Sequence, residues 1–297
     1  MQYSRETKIQ KNHNRQLRDV DRLANYSFIF LTIFLFILEG QSGDHLRILI
    51  AFFLAVSLSL TAFLINWITL GGVYAAIVFG TVILGFGGWI LALLVLLFFI
   101  SCSLLTYPIP ADNRELTNAL RTNSSAFRRN GLQIWSNGYW VALFAILYFL
   151  FQNEIFLVLA VSALATATAD TWSTELGTRQ QGRTYLITSF KKVEPGTNGG
   201  ISVKGTMGAF WGTLLIGICY MILHGGTRLE FTTIIIISGF LGSVSDSYLG
   251  ACYQNNNLTK NHWINRYFDT DESLNHAVNF AASGIGAIIA LFLIQLT

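Results

Sequence analysis

The sequence predicts an all-α polytopic membrane protein of about nine transmembrane helices with a cytoplasmic N-terminus. Three observations predict it. Of 297 residues, 53% are hydrophobic and only 12% charged, about half the charged share of a soluble domain, which is roughly 25%. Nine apolar stretches follow one another at about 26–39, 46–65, 69–86, 88–106, 134–151, 154–170, 205–223, 231–250 and 277–296. A helix needs about 20 residues to cross a bilayer. With the N-terminus inside, 17 of the 19 lysines and arginines fall on the inner side and only Arg47 and Arg228 outside, a positive-inside pattern. The net charge of +3 is too small to suggest a nucleic-acid partner.

Residues 1–25 read as a polar cytoplasmic tail carrying Arg5, Lys8, Lys11, Arg15, Arg18 and Arg22. No apolar signal core with a small-residue cleavage site precedes the first span, and a helix lying on the membrane surface would suit the tail. Residues 26–297 read as a single integral membrane helical domain. Its first run, FIFLTIFLFIL, is short and ends at Glu39, so it is the weakest of the nine. The outer loops are a few residues long, whereas three inner segments, 107–133, 171–204 and 251–276, are longer. Polar chemistry is therefore concentrated at one membrane face, as expected of an enzyme that draws a soluble cosubstrate from the cytosol. A transporter would more often carry polar groups at mid-membrane depth. Cys102, Cys219 and Cys252 are far apart and lie in or beside apolar runs, which fits packing rather than zinc or disulfide chemistry.

Five constellations carry candidate chemistry. In ATATADTWSTELG, small residues that let helices approach closely lead into Asp170, with Glu175 following. On an ideal helix those two carboxylates are about 140° apart, so they share a face only if the helix ends or distorts, and Gly177 is a plausible stop. In KKVEPGTNGGISVKG, Gly196, Thr197, Asn198, Gly199 and Gly200 form a turn ahead of a helix. Such a turn exposes backbone N–H groups to phosphate, and Lys191 and Lys192 flank it. In GFLGSVSDSYLGACYQ, Gly239, Gly242, Asp246 and Gly250 make one small-residue face with a carboxylate in it, costly unless it faces a protein-lined cavity. Asn275, Asn279, Ala282 and Gly286 line one face of the last helix, where asparagines bind a phosphate, a metal-bound water or another helix. Finally Arg128, Arg129 and Asn130 stand just before a span, and arginine forks suit phosphate. Asp170, Glu175 and Asp246 with phosphate oxygens suit Mg²⁺, which takes one or two carboxylates beside substrate phosphates.

The strings GGVYAAIVFG, RRNGLQIWSNG, ADTWSTELG, LITSFKKVEPGTNGGIS and GSVSDSYLGACYQ resemble the transmembrane protein 19 family, which is similar to the phytyl-phosphate kinases of the vitamin E pathway. The likeness is collinear from about Trp67 to the C-terminus. It implies an integral membrane kinase that phosphorylates a prenyl monophosphate, such as phytyl phosphate, to the diphosphate, with CTP or another nucleoside triphosphate and Mg²⁺. Asp170, Glu175 and Asp246 would then hold the metal, the 196–200 turn with Lys191 and Lys192 the nucleotide phosphates, and Arg128 and Arg129 the lipid phosphate. The partners expected are a prenyl-phosphate lipid, a nucleoside triphosphate and the bilayer of a bacterial plasma membrane, and a homo-oligomer is compatible with the sequence. A cytidylyltransferase that makes a CDP-lipid and a lipid-phosphate transporter or flippase are the alternatives.

Overall fold

The computed structural model describes residues 2–106, 128–178, 183–254 and 271–297. Arg114, Arg121, Arg179, Lys260 and Arg266, on which part of the charge asymmetry rests, lie outside the described residues. The chain forms α1 (Gln2–Leu38), α2 (Ser42–Leu64), α3 (Leu70–Thr106), α4 (Gly131–Phe151) and α5 (Glu154–Thr178). Three short strands follow, β1 (Thr184–Leu186), β2 (Lys192–Val193) and β3 (Gly200–Ile201), and then α6 (Val203–Leu223), α7 (Leu229–Tyr253) and α8 (Asp271–Ile294). Among the described residues, eight helices are long and apolar enough to cross a membrane. The boundary expected between tail and first span falls inside α1, whose apolar part runs Val20–Leu38.

The sequence suggested nine spans, and α3 accounts for the difference. At 37 residues a straight helix would be about 55 Å long, nearly twice the roughly 30 Å hydrocarbon core. It is not straight. Gly88 breaks it with φ 74° and ψ −174°, a conformation open to glycine alone among ordinary residues. The Phe99 ring returns to 5.8 Å from the Trp67 ring, a separation that a continuous helix could not give. The runs at 69–86 and 88–106 are therefore two arms of one element, folded back at Gly88.

The central helix is α5. Residues Leu157 to Ala169 are buried without interruption, because alanine, serine and threonine let its neighbours close in from several sides. A methyl group added at Gly239 of α7 would stand 2.7 Å from Ala165 Cβ, and one added at Gly212 of α6 would stand 3.2 Å from Ala169 Cα. Thr166 and Thr168 return their hydroxyls to the carbonyls of Ser162 and Leu164, at 3.0 and 2.8 Å, so this polarity is spent within the helix.

The bundle has two distinct ends. At one, Glu154 pairs with Arg228 at 2.6 Å and accepts from Tyr220 at 3.4 Å, with His224 Nδ1 3.8 Å away. Arg47, beside Asp44 at 2.9 Å, stands over the Phe149 ring at the same end. At the other end lie Asp170, Asp246 and the small sheet. That sheet, of order β2-β1-β3 and antiparallel throughout, was not foreseen in an all-α reading. It is built on the polar segment 184–201, outside any apolar span.

Candidate active site

The residues that converge at this end line a polar cleft of about 130 Å³. Helix α5 contributes Asp170, Ser173, Thr174, Gly177 and Thr178, an i, i+3, i+4, i+7, i+8 set that defines one face. Glu175 falls off that face, because α5 continues regularly to Thr178 and nothing distorts it between the two carboxylates. Glu175 accordingly does not line the cleft beside Asp170. The second expected carboxylate that does line it is Asp246, which enters from α7 together with Ser247, Gly250 and Gln254.

Asp170 and Asp246 stand within hydrogen-bonding reach of each other. Two carboxyl groups that close repel unless a proton or a cation lies between them. Asn279, with its amide nitrogen turned inward, donates to Asp246 Oδ2 at 3.2 Å. Asn275 lines the cleft and accepts from Gln254 Nε2 at 3.3 Å. The asparagine face of α8 thus closes the site from a third side. His276 points away, to Ser136 and Glu272 at 3.5 and 3.7 Å.

The roof of the cleft is the glycine-rich turn. Thr197 N donates to Glu194 O at 3.2 Å, with Pro195 and Gly196 (φ 88°) at the centre, the residue order of a type II turn. A second reversal follows, in which Gly200 N donates to Thr197 O at 2.8 Å across Gly199 (φ 75°). A methyl group at Gly199 would lie 2.5 Å from both Cα and N of Ala251, so the turn rests directly on the backbone of α7. Gly196, Thr197, Asn198, Gly199 and Gly200 all line the cleft. Ser202 caps α6 by accepting from Gly205 N at 3.1 Å, and both residues line the same space.

The remaining candidates lie elsewhere. Lys191 and Lys192 are exposed on and beside β2 and do not line the cleft. Asn130 caps α4, accepting from Gln133 N at 2.8 Å, and donates to Glu272 at 3.3 Å. Arg128 donates to the Asn66 side chain. Arg129 is buried with its guanidinium 5.2 and 5.7 Å from the centres of the Phe98 and Phe99 rings. The 128–130 segment is held by backbone bonds to Trp67 and Thr69, both 3.0 Å. None of these three lines the cleft, so the expected grouping of arginines with the carboxylates is not formed.

The sequence reading missed Ser173, Thr174, Thr178, Thr184 and Ser202. The helical register of Asp170 was signal enough for the first three. Thr184 required the sheet.

The donor set suits a hard cation such as Mg²⁺. Asp170 and Asp246 would hold it, with Asn275 and Asn279 behind them and the other positions left to water and phosphate. No group of three or more His, Cys, Asp or Glu gathers among the described residues, so a three-carboxylate centre is not formed. The Thr184 hydroxyl, buried at the cleft wall with no partner among the described residues, is left for a polar ligand.

An integral membrane helical bundle with a polar, two-carboxylate cleft at one end is the class that fold and site define. The chain belongs to the family described as "Integral membrane protein DUF92", whose model matches residues 29–287. It is 31% identical over 194 residues to an uncharacterized membrane protein of Methanocaldococcus jannaschii, covering 65% of this chain and 78% of that one. It is 33% identical over 116 residues to Protein PGR of Arabidopsis thaliana, covering 35% of this chain and 40% of that protein. It is also 27% identical over 143 residues to Protein VTE6, chloroplastic, of the same plant, covering 48% and 39%. The chain thus spans well under half the length of the two plant relatives. No solved structure matches it.

Proposed function

We propose that this protein is a prenyl-phosphate kinase, which converts a prenyl monophosphate such as phytyl phosphate to the diphosphate with CTP or another nucleoside triphosphate. The convergence of Asp170 and Asp246 beneath a double glycine turn carries the proposal. The resemblance of the D-T-W-x-x-E-x-G and P-G-T-N-G-G strings to the transmembrane protein 19 family and its phytyl-phosphate kinase relatives supplies the substrate class.

Phosphoryl transfer needs positioning and charge neutralisation more than covalent help. Mg²⁺ held by Asp170 and Asp246 would neutralise the nucleotide phosphates. The 196–200 turn and the N-terminus of α6 would offer backbone N–H groups to the same phosphates. Asn279 fixes the Asp246 carboxylate, and the Thr184 and Ser202 hydroxyls would orient phosphate oxygens. An oxygen of the prenyl phosphate attacks the γ-phosphorus, the bond to the bridging oxygen breaks, and the nucleoside diphosphate leaves. The attacking oxygen is already anionic, so the site requires no strong general base. A bacterial plasma membrane with the cleft on its cytosolic face fits the lysines and arginines gathered at that end.

Detergent-purified protein incubated with phytyl or geranylgeranyl phosphate and labelled CTP, ATP, GTP or UTP is expected to yield the prenyl diphosphate and a nucleoside diphosphate. No diphosphate from any pairing would sink the proposal. Pyrophosphate release would indicate a cytidylyltransferase instead, and lipid movement without nucleotide turnover a flippase.

A further inference from the structure

A second cavity, about 400 Å³ and almost wholly apolar, runs between α2, both arms of α3 and the start of α4. Its volume lies in the range of ligand pockets, roughly 300–1,000 Å³. Along α2 it extends from Ala51 to Ala62, about 16 Å at the helical rise, or half the depth of the hydrocarbon core. Leu58, Trp89 and Leu93 on its rim are exposed by 49%, 55% and 45%. They belong to membrane-spanning helices, so the cavity opens sideways to lipid.

One end differs from the rest. Arg129, only 8% exposed, closes it together with Gln133 and Asn137. A buried guanidinium at a helix end is costly unless an anion meets it. Among the described residues no carboxylate lies within ion-pair distance of Arg129, whose neighbours are the faces of Phe98 and Phe99 and the Cys102 thiol. Cys102 in turn lies near Thr171, the residue after Asp170. The charged end of the groove therefore sits at the same depth as the carboxylate pair, around the side of α5.

We infer that this groove holds the chain of a prenyl monophosphate, with the Arg129 guanidinium as counter-charge to its phosphate. The inference rests on the proposed prenyl-phosphate reading. The occupant is committed by shape and charge together: one apolar tail along the helices and one anionic group at the basic end.

Binding without nucleotide tests it separately from turnover. Full-length protein in nanodiscs would be titrated with radiolabelled geranylgeranyl phosphate, and with an analogue bearing a photoactivatable diazirine at the chain terminus. Crosslinks are expected on α2 and the second arm of α3. Ala92→Phe and Ala76→Phe, which fill the groove from its two arms, should each weaken binding tenfold or more. The parent protein should bind geranylgeraniol at least tenfold more weakly than its phosphate. Arg129→Gln should abolish that preference, and Arg129→Lys should keep most of it. Crosslinks elsewhere, unchanged affinity in both filled variants with intact elution profiles, or equal competition by phosphatidic acid would overturn the inference. Should the variants fail to fold, the crosslink map of the parent protein decides. The expected binding pattern without any phosphoryl transfer would overturn the kinase reading and leave the groove standing.

Discussion

Replacing Gly199 by alanine separates a turn that is merely glycine-rich from one that is built against α7. Two costs combine. The residue sits at φ 75°, where an L side chain loses about 1–2 kcal/mol. The added methyl would also lie 2.5 Å from Ala251 Cα and N, about 0.9 Å inside ordinary contact at 3.4 Å. Those are backbone atoms of a packed helix, and they do not move aside as a side-chain tip would. The turn must lift by nearly that distance, and a misplacement of about 1 Å costs on the order of 100-fold in rate. Gly196 is the internal control. Its φ is 88°, but a methyl there meets only Thr178 Cγ2 at 3.9 Å, so Gly196→Ala bears the conformational cost alone. Turnover of prenyl phosphate with nucleotide, together with melting in detergent with and without nucleotide and Mg²⁺, should show Gly199→Ala reduced about 100-fold. Its nucleotide-induced rise in Tm should be lost, while Gly196→Ala falls only several-fold. Equal behaviour of the two variants, or a Gly199→Ala variant indistinguishable from the parent, would refute the docking of this turn on α7.

Three further outcomes are expected. Asp170→Asn and Asp246→Asn should each lower turnover by about 10³-fold or more with unchanged expression, whereas Glu175→Gln should stay within several-fold of the parent; initial rates at saturating nucleotide decide this. Gly239→Leu, which drives a side chain into Ala165 at the α5–α7 seam, should cost about 1–3 kcal/mol by overpacking, read as a lower Tm in detergent. Burial holds the His224 imidazole below its usual range despite the neighbouring Glu154, so its neutral form is favoured in the fold. Stability should therefore be full above the ordinary imidazole range near 6.5 and fall as pH drops below it, a loss that His224→Gln should flatten in a series of melts.

Much of this architecture was legible in the residues. The apolar runs marked the spans, and the small-residue string before Asp170 marked the helix that α3, α4, α6, α7 and α8 approach. The face Gly239, Gly242, Asp246, Gly250 predicted both the packing of α7 and the direction of its carboxylate. The hairpin was readable as two runs parted by Gly87, one residue before the actual break at Gly88, though an apolar stretch of 37 residues carries no polar loop to mark it. Less legible was the grouping of the basic residues. Arginines and lysines at the basic end satisfy the positive-inside rule first, and the sequence alone does not say which of them turn inward. Arg129 does so because Trp67 and Thr69 fix its backbone, a contact across sixty residues. Lys191 and Lys192 stay out because they stand on or beside an edge strand. The sheet itself was hidden because strands of two or three residues leave no periodicity to read.

The arrangement of polarity also bears on the choice between an enzyme and a carrier. A carrier that moves an anionic headgroup across the bilayer needs polar groups along the path or a gap that opens at mid-depth. Here the middle of the bundle is occupied by α5, buried from Leu157 to Ala169, with the hydroxyls of Thr166 and Thr168 bonded to its own carbonyls. The ion pair of Glu154 and Arg228 lies at the far end of the same helix, separated from Asp170 by that whole apolar length. Opening a path there would mean parting the close seams that Gly212, Gly239, Gly242 and Gly286 make with α5. The cleft, by contrast, lies at one end of α5, from Asp170 to Thr178, and the charged end of the lipid-facing groove comes to the same level through Arg129, Cys102 and Thr171. On the proposed kinase reading, a water-soluble donor would enter from the cleft and a membrane-held acceptor from the groove.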